Sequence, residues 1–226
     1  MEGQGGILDI AGGTAVVDHH RRAASYIQNA ALTFHEPYAS SVCELMTELL
    51  QELTEPTDVS RIEAEAMLAG IVLDTKCFTI RTGERTFDAA AFLRRLGADT
   101  AEVKKYMQSG IEDSVDKFSI LQSMKVYRDN IAIAVKETET DRVVAAQAAD
   151  ELLNVEGITA SFVAYATADG GAVISARSIG DVNVQLILEE LGGGGNMSAA
   201  GAQIGNISLR DAVNRLCAAI DAFLDN

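Results

Sequence analysis

Gly12-Gly13-Thr14-Ala15-Val16-Val17-Asp18-His19-His20-Arg21-Arg22 runs from two glycines through a short β-favouring stretch into a block of ionisable side chains. The pattern predicts a buried strand over residues 14–17 that releases polar groups at its carboxyl end. Ligands gather at such ends in open α/β sheets. Imidazole and carboxylate together suit Mn, Fe or Zn at neutral pH. Adjacent strand residues point to opposite faces, so one of His19 and His20 is expected to ligate while the other orients it or meets substrate. A histidine pair at a surface or core edge is the reading without chemistry.

Outward from this strand, Val42, Leu45, Met46, Leu49, Leu50 and Leu53 recur at helical spacing after Pro37 and predict a helix over residues 38–53. Ser60 and Glu63 have capping-box spacing. The nearly all-apolar helix after them, residues 64–73, carries Asp74 at its end in buried or half-buried surroundings. A carboxylate there opposes the helix dipole, which favours a metal partner over simple capping. Residues 86–96 read as a helix stopped by Gly97, and Asp99 with Glu102 as a second capping box.

Residues 112–127 alternate charged and apolar groups as a connecting helix would. The character then changes. Residues 131–135 form a β-rich run and 141–153 a helix. The runs 158–168 and 172–178 are joined by the hairpin signal Asp169-Gly170-Gly171. A helix over 181–191 ends in Gly192-Gly193-Gly194-Gly195, and a long helix over 209–224 carries Ala212, Leu216 and Ile220 on one side.

The chain has 226 residues, with 18 Lys plus Arg against 33 Asp plus Glu and a formal charge of −15. Long nucleic acids are held by clustered basic residues, so this balance argues against one as partner while short or cyclic nucleotides stay compatible. Two small domains suit the length. Cys43, Cys77 and Cys217 are odd in number and unpaired by spacing, as in a reduced cytoplasmic chain. No apolar stretch is long enough for a membrane helix, and MEGQGG has no signal-peptide character.

Val16-Val17-Asp18-His19-His20-Arg21-Arg22 resembles the signature of the DHH phosphoesterases. Ala69-Gly70-Ile71-Val72-Leu73-Asp74-Thr75 is similar to that family's last metal-binding motif. The four glycines with Ala199-Ala200-Gly201 resemble the glycine motif of the DHHA1 domain. Glu36-Pro37-Tyr38-Ala39-Ser40-Ser41, Arg81-Thr82-Gly83-Glu84-Arg85-Thr86-Phe87 and Ser175-Ala176-Arg177-Ser178 narrow the likeness to GdpP-type cyclic-di-AMP phosphodiesterases.

The resemblance implies an α/β chain: the carboxyl-terminal portion of a DHH parallel-sheet domain over residues 1–109, a connecting helix over 110–127, and a smaller DHHA1 nucleotide-binding domain with a mixed sheet over 128–226. It implies hydrolysis of cyclic-di-AMP to linear pApA with two divalent ions, usually Mn, which activate water and neutralise phosphoryl charge. His19 and Asp74 would be metal ligands, His20 would face substrate or sit behind the metal, and Asp18 would hold the histidines. Arg177, the amides of Gly192, Gly193, Gly194 and Gly195, and Asn196 would receive phosphate. Arg177 taken alone could equally pair with an acidic neighbour. Arg81 and Arg85 are secondary candidates in a solvated turn.

Two departures from the family qualify this. Its His-x-x-x-Asp-x-Asp motif and a further aspartate precede the DHH motif, whereas here only Glu2 and Asp9 do. The chain is therefore expected to be the carboxyl-terminal part of a longer protein, whose preceding segments include the membrane anchor, and to bind metal weakly and hydrolyse little. Asn196 stands where the family has histidine; it can donate a hydrogen bond but carries no charge near neutral pH. The alternatives are a nucleotide-binding module without catalysis and an oligoribonuclease acting on short RNA. A homodimer is expected from strand edges left open.

Overall fold

The computed structural model describes residues 12–22 and 26–225, so Glu2 and Asp9 lie outside the described residues. The chain divides into two compact units, Met1–Gln108 and Ser109–Asn226.

In the first unit β1 (Ala15–Asp18) pairs in parallel with β2 (Leu32–His35), Asp18 lying opposite His35. The sequence pattern does not announce the second strand: Leu32-Thr33-Phe34 is a short β-rich run with no flanking turn signal beyond Pro37. Helix α1 spans Val42–Leu53 rather than starting at Tyr38, because Ser41 is its cap and accepts the Glu44 amide. Residues 38–41 form the turn that leads into it. Helix α2 (Arg61–Asp74) begins at the expected capping box, Ser60 and Glu63 satisfying each other's amides. The two helices approach closely at Gly70, where a methyl group would collide with Cys43 Sγ. Helix α3 (Glu84–Arg95) ends at Gly97, whose φ is +101°, and α4 (Thr100–Tyr106) is capped by Asp99. Leu68, Ile71, Leu93 and Val103 join these helices in one buried cluster.

In the second unit α5 spans Ile111–Gln122 and does not continue to residue 127. Ser123 ends it, donating its hydroxyl to the Ile120 carbonyl while accepting the Val135 amide. Lys125-Val126-Tyr127, with its alternating β-favouring character, then forms strand β3 (Lys125–Tyr127). Strand β4 (Ile131–Lys136), helix α6 (Arg142–Leu152), the hairpin β5 (Ala160–Ala166) and β6 (Ala172–Ser178), helix α7 (Val184–Glu189), strands β7 (Gly194–Asn196) and β8 (Ala199–Ile204), and helix α8 (Leu209–Leu224) come next in chain order. Helix α7 is shorter than the expected 181–191 because Asn183 caps it, accepting the amides of Gln185 and Leu186.

The sheet order is β3-β4-β5-β6-β8-β7, with β4 and β5 parallel and every other neighbour antiparallel. Strand alternation sorts its side chains. Ile133, Phe162, Ile174, Ala176 and Ala202 face α7 and α8, where they meet Ile187, Leu216 and Ile220. Ala134, Val163, Tyr165 and Val173 face α5 and α6, against Ile120, Ala145 and Leu152. Cys43, Cys77 and Cys217 are free thiols. Among the described residues no helix is long and apolar enough to cross a membrane.

Candidate functional site

Strand β1 ends at Asp18, and the chain turns there because the Asp18 carboxylate folds back on His20. Its Oδ1 accepts the His20 amide at 3.0 Å and lies 2.8 Å from His20 Nδ1. The amide is the main reason the Asp18 carboxyl is held below the usual carboxylate range. Partial burial opposes it, and the His20 ring adds to the lowering. The turn separates the two histidines. His19 is buried, at 7% exposure, while the His20 side chain is 74% exposed. Their rings meet edge to face at 4.4 Å.

His19 Nδ1 lies 3.4 Å from the Ala39 carbonyl oxygen, a contact in which the ring nitrogen donates. The other ring nitrogen, Nε2, lies 3.7 Å from Asp74 Oδ2. An imidazole lone pair and a carboxylate oxygen are both electron donors, so the arrangement calls for a proton or a cation between them. Helix α2 supplies Asp74 from its last residue, at 42% exposure, so the expectation of a buried or half-buried carboxylate is corrected: the helix ends at the rim of the packed cluster. No basic residue occupies that last turn to offset the dipole. Beyond Asp74 the chain reverses through Lys76, Cys77 and Phe78, all with positive φ of 46°, 57° and 62°.

His35 belongs to this cluster, although the sequence pattern does not single it out. It ends β2 beside Asp18 and donates Nε2–H to the His20 carbonyl at 2.6 Å. The signal available for it is the one that marks His19, a polar side chain ending a β-rich run. Among the described residues no three or more His, Cys, Asp or Glu side chains converge as a metal cage. His19 and Asp74 fit two positions of a divalent-ion site by donor type; they do not complete one.

Arg85 is held by Glu48 through two bonds of 2.7 Å, Nε to Oε1 and Nη2 to Oε2. Arg81 is exposed, with φ of +50°.

Arg177, Gly194 and Asn196 share one face of the second sheet, while Gly195 alternates to the other. Paired residues in a ladder share a face, and Arg177 pairs with Ala199, which pairs with Asn196. One pleat along, Ser175, Gly201 and Gly194 form the next row. Helix α6 covers β5 and β6 on this side, and the exposed Gly201, Gln203 and Asn196 leave β8 and β7 open to solvent. Arg177 Nε pairs with Asp150 Oδ1 at 3.2 Å and Nη1 donates to the Ala176 carbonyl, so the guanidinium is anchored by an acidic neighbour. Asn196 Oδ1 accepts the amides of Ser198 and Ala199, each at 3.0 Å, and closes the β7–β8 turn.

The glycine run is no flexible loop. Gly192, at φ of +76°, terminates α7, and the amides of Gly192 and Gly193 donate to the carbonyls of Glu189 and Leu188. Those two amides are committed to the helix end, which leaves Gly194 and Gly195 on the strand.

Residues 6–71 match the family model for the DHH family, N-terminal domain, and residues 128–226 match the DHHA1 domain. The cyclic-di-AMP phosphodiesterase PdeA of Listeria monocytogenes is 46% identical over 219 residues, which is 96% of this chain and 33% of that protein. The cyclic-di-AMP phosphodiesterase GdpP of Bacillus subtilis is 45% identical over 214 residues, 93% of this chain and 32% of that protein. The chain thus spans about a third of the length of these curated relatives. A crystal structure of an exopolyphosphatase-related protein from Bacteroides fragilis superposes with a TM-score of 0.81 at 22% identity, covering 94% of this chain and 64% of that one, and shows the shared fold.

Proposed function

Because this chain belongs to the DHH family and ends in a DHHA1 domain, we propose that it is the module of a metal-dependent phosphodiesterase that hydrolyses cyclic-di-AMP to linear pApA. The observation that carries the reading is the approach of His19 Nε2 to Asp74 Oδ2, two metal-ligating side chains distant in sequence brought to 3.7 Å. The likeness to cyclic-di-AMP phosphodiesterases over nearly the whole chain supports the substrate. Divalent ions, Mn in this reading, would supply charge neutralisation on the phosphoryl oxygens and activation of water. His19 and Asp74 would bind them. Ala39 would fix the His19 tautomer, and Asp18 would hold the His20 turn.

Arg177 and Asn196, with the glycine strand Gly194-Gly195 beside them, would receive phosphate at the open side of the sheet. A guanidinium forks onto phosphate oxygens, and a glycine strand lets a ligand come close to backbone. With only two ligating groups brought together among the described residues, this chain alone is expected to take up Mn weakly. That same shortage favours a second reading for the isolated chain, a module that grips the dinucleotide and cleaves it slowly or not at all.

Self-association as a homodimer belongs to the proposal, since the described part of the first sheet has two parallel strands whose edges such sheets normally cover. The module would act on the cytosolic side, with membrane contact left to other parts of a longer parent.

The test is Mn titration of this chain and of its His19→Ala and Asp74→Ala variants, each incubated afterwards with cyclic-di-AMP and analysed by chromatography for pApA. Weak Mn uptake lost in both variants, with any pApA lost alongside, is the expected result. Uptake and cleavage unaltered by either substitution would overturn the assignment.

A further inference from the structure

Three polar side chains that the functional reading leaves without a task, Ser40, Glu44 and Thr86, lie behind His19. The His19 ring meets the turn between β2 and α1, where Ala39, Ser40 and Ser41 are each 2% exposed or less. The Ala39 amide closes that turn by donating to the Glu36 carbonyl at 3.1 Å, and the Glu36 amide ties it to the end of β1 by donating to the Asp18 carbonyl at 3.0 Å. The Ala39 carbonyl belongs to the planar peptide group it shares with Ser40, so its direction follows Ser40. Ser40 is held through its hydroxyl, which donates to Glu44 Oε2 at 2.6 Å. The same oxygen accepts the Thr86 hydroxyl at 2.6 Å, and Thr86 Oγ1 in turn accepts the Gly83 amide at 3.1 Å at the start of α3.

Glu44 is 2% exposed. Burying a carboxylate is unfavourable unless its oxygens are bonded, and an apolar side chain would fill the same place on α1 without that penalty. What the carboxylate adds is a bond to two elements at once, which fixes where Ser40 stands. The consequence reaches His19. Its Nδ1 lies 3.4 Å from the Ala39 oxygen, at the long end of the range for N–H···O, so a movement of about half an ångström in the carbonyl decides whether that bond exists. A neutral imidazole in water carries its proton mostly on Nε2, and an acceptor at Nδ1 reverses the preference. Nε2 is the nitrogen that lies 3.7 Å from Asp74 Oδ2.

We propose that Glu44, acting through Ser40 and anchored by Thr86, is a positioning residue for His19: it holds the Ala39 carbonyl where that carbonyl keeps the ring proton on Nδ1 and leaves Nε2 for a cation shared with Asp74. The inference rests on the reading of His19 as a metal ligand and adds the residues that set its orientation before an ion arrives. A side chain already held in its ligating tautomer and rotamer loses less freedom when the ion binds. Glu44 itself is spent on the two hydroxyls, so its part is orientation rather than ligation.

The test follows the His19 ring by nitrogen NMR in the metal-free full chain, in alkaline buffer where the imidazole is neutral and its two nitrogens report which one carries the proton. The His19→Ala variant assigns the signal. Mn is then added, its uptake is read from the paramagnetic broadening of the same ring, and each protein is melted. The parent is expected to show the proton on Nδ1. Ser40→Ala and Glu44→Ala are expected to move it toward Nε2 and to weaken Mn uptake roughly tenfold. Glu44→Gln keeps an acceptor oxygen for both hydroxyls and is expected to stay near the parent in both readouts. Val103→Ala, in the buried cluster of the same unit, is expected to melt earlier while leaving tautomer and Mn uptake unchanged, which separates orientation from lost stability. Ser40→Ala keeps the test open should Glu44→Ala fail to fold. Folded Ser40→Ala with the parent's tautomer and Mn uptake, or Val103→Ala shifting the ring equally, would overturn the positioning role alone. Mn uptake unchanged in His19→Ala would remove the metal assignment and the positioning role with it.

Discussion

Asp221 on α8 accepts the Tyr127 hydroxyl at 2.8 Å and Arg128 Nε at 2.9 Å, tying the edge strand β3 to the last helix. The Tyr127 hydroxyl first, and Arg128 second, hold its carboxyl below the usual carboxylate range. A carboxyl lowered by folding contributes stability above its unfolded value of about 3.9, and the contribution is lost as pH falls through the folded value. Asp221→Asn is therefore predicted to be less stable than the parent at pH 7, with the difference closing as pH falls below about 3.9 and through the lowered folded value. Urea melts at the two pH values check this, and a gap that persists in acid would contradict it. Asn196 offers a second residue-scale case. Its side-chain oxygen is pinned by the Ser198 and Ala199 amides, so Asn196→His gives up a turn closure worth about 1 kcal/mol. It also places an ionisable ring beside the phosphate row. The variant is predicted to melt earlier and to bind cyclic-di-AMP several-fold more tightly; unchanged affinity would remove position 196 from the site.

At the scale of elements, a buried carboxylate ties together two segments distant in sequence. Glu44, 2% exposed on α1, accepts the hydroxyls of Ser40 and Thr86, both at 2.6 Å. It joins the segment 36–41 to the start of α3, and Arg85 on Glu48 repeats the join one turn on. The Ala39 carbonyl that contacts His19 lies in the same clamped segment. Glu44→Ala strands two buried hydroxyls and is predicted to cost about 3 kcal/mol in urea denaturation. A loss near zero would mean that the segment is held by something else.

The reversal after α2 makes an opposite prediction. Cys77 is exposed with φ of +57°, a conformation that costs a residue with a Cβ roughly 1–2 kcal/mol. Cys77→Gly is predicted to gain about 1 kcal/mol less the entropy glycine adds to the unfolded chain, and a clear loss would show that its side chain packs. Sequence reveals α2 by its capping box and continuous apolar run, and the β5–β6 hairpin by two β-rich runs joined at a turn signal. It misses β7, since Gly194-Gly195-Asn196 has almost no side chains to show a period, and it overextends α5 because Ser123 stops that helix by a bond to β4 that sequence does not display.

Over the whole molecule, the candidate groups fall in two places, the end of β1 in the first unit and the open face of the sheet in the second. The first is legible in sequence because Asp18, His19 and His20 are adjacent and Asp74 ends an apolar helix. His35 is not, because its role depends on the parallel pairing of β1 with β2. On the sheet face, Arg177 and Asn196 can be read as candidates, but their shared row comes from register across three strands. The chain carries a net charge of −15 and spans about a third of its curated relatives, so any grip on a doubly charged dinucleotide must come from this local arrangement. Calorimetric titration of the chain with cyclic-di-AMP, with and without Mn, and then analysis of the same mixture for pApA, tests that most directly. Saturable binding with little or no pApA is the predicted result. Absence of both binding and cleavage would contradict the functional account and leave only the fold and family standing.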